Sequence, residues 1–482
     1  MAQTQEATKP RLLSTGVPNL DRVLGGGLQE HNSYLIVGAS GAGKSVLAQQ
    51  IAFHRARAGD RVLLITGLEE PHSNLIEHLL SFSFTDYKLI GPQIETVSLV
   101  PFLDRPLAEK VDVLRKTVLN SRPQWVIFDG LRSFEAFLDG VQGAYQFLYS
   151  LTSWFALEKI TLILTKDIDA ARVIDQPEFA LMDGVIALTR EPTNDQLLRR
   201  LTVRKMRGQS PLAGQHAFTI DHNGVTVWPR PQATFQPAER TWSSMRMPFG
   251  LPAFDPMLGG GVLAGTQTLV AGGAGTGKTM LALAFLSNGV ATGQPGLWLG
   301  FREDRTQLLA TTKSWGRDLE AAAGKDQLEF INLAPFELDA DPLAYRIEDR
   351  VGALGAQRLV LDGASELSRA LPNPDAAREF LTWLVGWLDQ RGVSGLITQV
   401  PGPEARGFEL GHMPLADQVG NIVLLRQAEE MGRLYRALAI LKMRGSAYSP
   451  VVREFTIDAY GLHVGEPVTA GEHHPEPASP PV

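Results

Sequence analysis

The segment STGVPNLDRVLGGGL, Ser14 to Leu28, returns as PFGLPAFDPMLGGGV, Pro248 to Val262, at an offset of 234 residues. GASGAGKS (Gly38 to Ser45) returns as GGAGTGKT (Gly272 to Thr279) at the same offset. Two more landmarks follow in order: WVIFDG and LVLDG set Asp129 against Asp362, and KMRG occurs at Lys205–Gly208 and again at Lys442–Gly445. Four landmarks at nearly constant spacing mark a duplicated domain. The period far exceeds that of a solenoid repeat.

Self-comparison also sets the boundaries. Residues 1–13 read as an N-terminal tail, 14–227 as the first domain and 247–464 as the second. The stretch 228–246, WPRPQATFQPAERTWSSM followed by Arg246, reads as an extended linker, and 465–482, rich in Pro and Glu, as a disordered tail. Each copy alternates short apolar runs with helical patterns: YLIVG, VLLIT, VIFDG and TLILT first, then TLVAGG, LWLGF, RLVLDG and GLITQV. Runs apolar at nearly every position are buried on both faces, and the helical stretches supply the crossovers that parallel strands require. The fold class is α/β, with a mainly parallel sheet flanked by helices in each half.

Both G-x-x-x-x-G-K-[ST] segments lie between an apolar strand and a helical pattern, the setting in which such a loop binds phosphate. Its glycines let backbone N–H groups converge on phosphate oxygens at a helix N-terminus, where the dipole favours anions. The first cradle comprises Gly38, Ser40, Gly41, Ala42, Gly43, Lys44 and Ser45; the second comprises Gly272, Ala274, Gly275, Thr276, Gly277, Lys278 and Thr279. Lys44 and Lys278 are placed to reach the β- and γ-phosphates of ATP. Ser45 and Thr279, with Asp129 and Asp362 at strand ends, are the expected Mg²⁺ residues, some acting through water. A single such motif is sometimes only a Gly-rich turn before an exposed lysine; two copies with paired Asp-ending strands argue for nucleotide.

Hydrolysis also needs a carboxylate that orients the attacking water. After the second strand the first copy reads LLITGLEEPHSNL and the second GLWLGFREDRTQLL, which pairs Glu69 with Arg302 and Glu70 with Glu303. Glu69, Glu70 and Glu303 are the catalytic candidates. A Glu pair in that place is commonly just a solvated helix start, but here it follows the strand beside the phosphate loop. Because Arg302 adds charge without a base, the first domain is the expected hydrolase and the second is expected to hold nucleotide structurally.

With its upstream GGG turn, its Glu-Glu pair and K-[LM]-R-G near each domain's end, the duplicated chain resembles the KaiC family of circadian-clock ATPases from about Ser14 to Val464. That resemblance implies two tandem RecA-like P-loop NTPase domains, a homo-hexameric double ring and ATP between protomers. It also implies that Lys205 and Arg207, and likewise Lys442 and Arg444, are cations offered to a neighbour's γ-phosphate. A cation donated in trans contributes roughly 10³ to 10⁵ in rate in other enzymes; the bland alternative is a solvated basic strand. One departure is clear. The family's autophosphorylated Ser-Thr pair falls on Ala416 and Asp417, and no Ser or Thr occurs from Gln399 to Gly445, which disfavours serine/threonine autokinase activity. Asp417 imitates part of a phosphate's charge or is an ordinary loop residue. The C-terminal end shows nothing that matches the family's partner-binding tail.

Composition narrows the rest. The 482 residues contain no Cys, which rules out disulfides, thiolate zinc and a cysteine nucleophile and is consistent with the cytoplasm. The polar N-terminus lacks a signal-peptide h-region, and no run of about 18 apolar residues reads as a membrane span. A net charge of −7 gives no general attraction to nucleic acid. The alternative class, a RecA- or RadA-like DNA-dependent ATPase, needs basic loops, and the one dense stretch is Leu197 to Arg207. The histidines show no metal-ligand spacing, and Trp383 and Trp387 at i, i+4 read as a packed helix face. The expected partners are other copies of the chain and unidentified signalling proteins.

Overall fold

The computed structural model describes residues 11–66, 78–98, 107–131, 138, 140–169, 178–193, 196–236, 243–325, 327–334, 336, 338–402, 410, 413–430 and 432–468. The chain divides into two compact units between Thr234 and Phe235.

In the first unit a nine-stranded sheet is formed by β1 (Ser33–Gly38), β2 (Val62–Thr66), β3 (Ile94–Ser98), β4 (Trp125–Asp129), β5 (Thr161–Asp167), β6 (Gly184–Thr193), β7 (Gln196–Met206), β8 (His216–Asp221) and β9 (Gly224–Trp228). Its order is β9-β8-β7-β6-β1-β5-β4-β2-β3. The pairings among β3, β2, β4, β5, β1 and β6 are parallel, whereas β7, β8 and β9 continue antiparallel. The second unit repeats this with β10 (Gln267–Gly272), β11 (Gly296–Gly300), β12 (Leu328–Asn332), β13 (Arg358–Asp362), β14 (Ser394–Gln399), β15 (Asn421–Glu430), β16 (Arg433–Met443), β17 (Arg453–Asp458) and β18 (Gly461–Pro467). Its order, β12-β11-β13-β14-β10-β15-β16-β17-β18, is the same topology.

Strand alternation feeds two cores per sheet. Tyr34 and Ile36 of β1 point into one cluster, with Leu47, Ile51 and Phe53 of helix α1 (Lys44–Arg57). Leu35 and Val37 point into the opposite one, with Phe147 and Leu151 of α2 (Gly140–Leu157). In the second unit Val270 joins Leu281 and Phe285 of α3 (Lys278–Ala291). Leu269 and Ala271 join Phe380 and Leu384 of α4 (Pro374–Arg391). Central strands buried on both faces must be apolar throughout, and each buried Leu or Phe contributes about 1.5–3 kcal/mol. Trp383 and Trp387 lie in that last core, their rings stacked with centroids 5.8 Å apart. This is the doubly layered α/β arrangement of tandem RecA-like domains.

Of the expected tails and linker, residues 1–10, 237–242 and 469–482 lie outside the described residues, and the described parts are more ordered than their composition implied. Leu12–Leu13 pairs antiparallel with Leu28–Gln29, so the end of the expected N-terminal tail belongs to a two-stranded sheet. Within the expected linker, Pro231–Thr234 forms a helical turn, and Phe235 packs against the apolar side of α4. Its aromatic ring finds a core that Pro-rich composition does not reveal. The last strand, β18, continues to Pro467, beyond the boundary placed at 464, because β17 offers it a pairing edge.

Candidate functional site

Each glycine-rich loop begins at the end of a central parallel strand and ends in a helix. Gly43 caps α1 with φ +108°, and a Cβ there would lie 2.6 Å from Ile220 Cδ1. Gly277 caps α3 with φ +96°, its Cβ position likewise 2.6 Å from Ile457 Cδ1. Both positions demand glycine on conformation and on space. The turn is closed by Ala42 N–H to Ala39 O (3.1 Å) in the first unit and by Thr276 Oγ1 to Gly273 O (2.9 Å) in the second.

The lysines are held differently in the two copies. Lys44 Nζ donates to Ala39 O (3.0 Å) and forms an ion pair with Asp167 at the end of β5. Lys278 Nζ donates to Gly272 O (2.9 Å) and Gly273 O (2.7 Å). Burial pushes its ammonium pKa down, opposed by Asp362 and Glu366.

Beneath each loop the next residue meets the strand-end carboxylate. Ser45 Oγ donates to Asp129 Oδ1 (3.0 Å), and Thr279 Oγ1 to Asp362 Oδ2 (2.8 Å). A third member escaped the sequence reading. Thr165 Oγ1 donates to Asp129 Oδ1 (2.5 Å) and accepts from Gly130 N–H (2.9 Å); Thr398 Oγ1 does the same for Asp362 (2.5 Å) and Gly363 (2.9 Å). Both threonines sit at the duplication's offset, 398 − 165 = 233, which is the signal that could have found them. Burial raises the Asp362 pKa, against the two hydroxyl bonds. The oxygens gathered here are hard donors, the chemistry that suits Mg²⁺.

Of the carboxylate candidates, Glu69 and Glu70 lie outside the described residues. Glu303 lines a cavity of about 180 Å³ together with Lys278, Thr279, Arg302, Asp362 and Glu366. Burial first, and then the Asp362 charge, raise its pKa. Arg302 Nη2 donates to Glu366 Oε1 (2.8 Å), a partner the sequence reading did not name.

The K-M-R-G cations lie away from their own loops. Lys205 pairs with Val185, β6 residue Val185 with Leu35, and Gly38 is three residues further, roughly 10 Å along the strand. Lys205 Nζ donates to Phe179 O (2.8 Å) and Arg207 Nη1 to Asp183 Oδ1 (3.2 Å). Lys442 Nζ donates to Ala416 O (2.7 Å), and Arg444 Nη2 to the carbonyl of exposed Asp417 (3.1 Å). Burial and the adjacent arginine lower the pKa of both lysines. Another arginine pair does reach the loops: Arg199 Nη1 donates to Gly41 O (3.1 Å), and Arg436 Nε to Gly275 O (3.2 Å). Arg199 belongs to the one dense basic stretch, so part of that stretch braces a loop.

A phosphate loop set twice over a hydroxyl–carboxylate pair, each in a RecA-like sheet, defines a double-domain P-loop ATPase. The family model described as "ATPase: KaiC" matches residues 13–232 and 247–469. The chain belongs to the KaiC family. It is 26% identical to the circadian clock protein KaiC3 of Synechocystis sp. (strain ATCC 27184 / PCC 6803 / Kazusa), over 96% of this chain and 93% of that protein. It is 25% identical to the circadian clock oscillator protein KaiC of Rippkaea orientalis, over 94% and 88%, and 26% to that of Synechococcus elongatus, over 93% and 88%. Among the described residues no helix is long and apolar enough to cross a membrane.

Proposed function

We propose that this chain binds Mg-ATP in both domains, hydrolyses it mainly in the first, and works as a hexameric nucleotide-state switch in signalling. The observation that carries the reading is the mirrored contact of Ser45 with Asp129 and of Thr279 with Asp362 beneath the two loop lysines. In this reading the loop N–H groups, Lys44 and Lys278 hold the phosphates, and the two hydroxyls and two aspartates hold Mg²⁺, some through water. When bound, the ion neutralises charge that develops on the phosphate oxygens. Glu69 and Glu70 orient and deprotonate the attacking water in the first domain, and Glu303 is their counterpart in the second.

Lys205, Arg207, Lys442 and Arg444 would serve a neighbouring copy's phosphate. Their distance along the sheet from their own loops supports a role in trans over one in cis. The signalling role rests on the likeness to proteins named for the circadian clock, and their partners are not carried over. Autophosphorylation is disfavoured, since Ala416 and Asp417 stand where the family's acceptors fall. Native mass spectrometry with and without Mg-ATP tests the proposal: a hexamer carrying nucleotide in both domains is expected, and a monomer that retains none would refute it.

A further inference from the structure

The two copies place their carboxylates differently around the phosphate loop. At the offset of 233, Glu69 is replaced by Arg302, and Ser133 by Glu366. The second copy therefore loses a carboxylate after its second strand, and the one carboxylate of the segment after the strand-end Asp moves from Glu135, whose counterpart is Ser368, to Glu366 on the short helix Ala364–Ala370, one residue beyond Asp362.

Geometry links the two changes. Arg302 Nη2 and Arg369 Nη2 both donate to Glu366 Oε1, at 2.8 and 3.3 Å. Oε2 is left facing Gly363, 3.1 Å from where a Cβ on that residue would be. The Glu366 side chain is only 14% exposed and lines the cavity that holds Lys278, Thr279, Glu303 and Asp362. An ordinary i, i+3 helix pair would account for Arg369 alone. It would not account for Arg302, which comes from another element, nor for a carboxylate turned inward. Without Glu366, Glu303 and Asp362 would be the remaining carboxylates of a cavity lined by both Arg302 and Lys278.

We propose that Glu366 is a positioning carboxylate of the second phosphate site, supplying from the helix Ala364–Ala370 the charge that the first copy carries at Glu69. The inference rests on the reading that this cavity takes Mg-ATP, and it makes the second domain a working, if lesser, hydrolase. In the step served, water oxygen bonds to the γ-phosphorus and the bond to the β,γ-bridging oxygen breaks. ADP leaves, and the proton lost by water passes through the site's carboxylates to inorganic phosphate. Arg302 fixes Glu366, and Glu366 in turn keeps Arg302 from binding phosphate unproductively.

The test is ATP turnover in the full-length chain with the first domain silenced by Lys44→Ala, bound nucleotide and native mass being recorded on the same samples. Should Lys44→Ala prevent assembly, the double change Glu69→Gln with Glu70→Gln silences that domain without touching the loop. In either background, Glu366→Ser should lower kcat about 10²-fold with little change in KM. Adding Arg302→Glu, which rebuilds the first copy's arrangement, should restore most of the loss. Adding Arg302→Ala instead should not restore it, because a Glu366 that served only to neutralise Arg302 would be rescued by removing that charge as well as by a carboxylate in its place. Unchanged turnover in Glu366→Ser, or loss without rescue in an intact assembly that still binds nucleotide, overturns the proposal. A silenced-first-domain protein that binds ATP but never turns it over also overturns it while leaving the nucleotide reading intact; one whose second domain binds no ATP removes both.

Discussion

Thr165 and Thr398 each place one hydroxyl between a strand-end aspartate and the following backbone N–H, which fixes the carboxylate that faces the loop. Thr398→Val removes a donor and an acceptor at a buried carboxylate. It should destabilise the second domain by about 1–3 kcal/mol and weaken its protection by Mg-ATP, both readable by denaturant titration, while Thr398→Ser retains most of each. Glu303 allows a pH prediction. Its folded pKa is raised above the ordinary 4.5, so folding binds its proton more tightly. Its contribution to stability is present below 4.5 and is lost as pH rises through the folded value. In nucleotide-free protein, Glu303→Gln should flatten that decline in a plot of denaturation midpoint against pH. The threonines were legible as a repeated position, whereas Asp167 and Glu366 were not. Their counterparts are Val400 and Ser133, so the comparison of copies that exposed the rest of the site filtered these two out.

The central strands were readable because burial on both faces forces unbroken apolar runs, as in β1 and β10. The antiparallel strands β7–β9 and β16–β18 were not read from pattern: β16, for instance, begins with four exposed or half-exposed residues before its buried stretch. Helices α1 and α3 were foreseen from the loop motif that precedes them. At that junction Gly43→Ala places a Cβ against Ile220 at φ +108°, a strain of about 1–3 kcal/mol. It should cost the first domain its nucleotide while Gly277→Ala does the same to the second, as fluorescent-ATP titration of each variant would report. Arg358 opens β13 fully buried, donating to Pro248 O (2.9 Å), Phe285 O (2.5 Å) and Gln294 Oε1 (2.9 Å), its pKa pushed down to about 10. Nothing in the apolar run RLVLDG signals that role. Arg358→Met leaves those acceptors unpaired and should lower the second domain's stability by about 3 kcal/mol.

At the scale of the whole molecule, duplication gives two sheets within one chain, each with its own pair of cores and its own phosphate site. Calorimetry of Arg358→Met should therefore show one transition displaced and the other in place. The copies have diverged where chemistry is decided: Lys44 is paired with Asp167 while Lys278 rests on backbone carbonyls, and Glu69 answers to Arg302. The unequal division of labour is the central claim. Its most direct test is steady-state ATP turnover of the wild type beside Lys44→Ala and Lys278→Ala, with native mass on the same samples. The account predicts that Lys44→Ala removes most of the turnover and Lys278→Ala leaves most of it in an intact assembly. Loss of turnover in Lys278→Ala without loss of assembly would contradict it and make the second domain the principal engine.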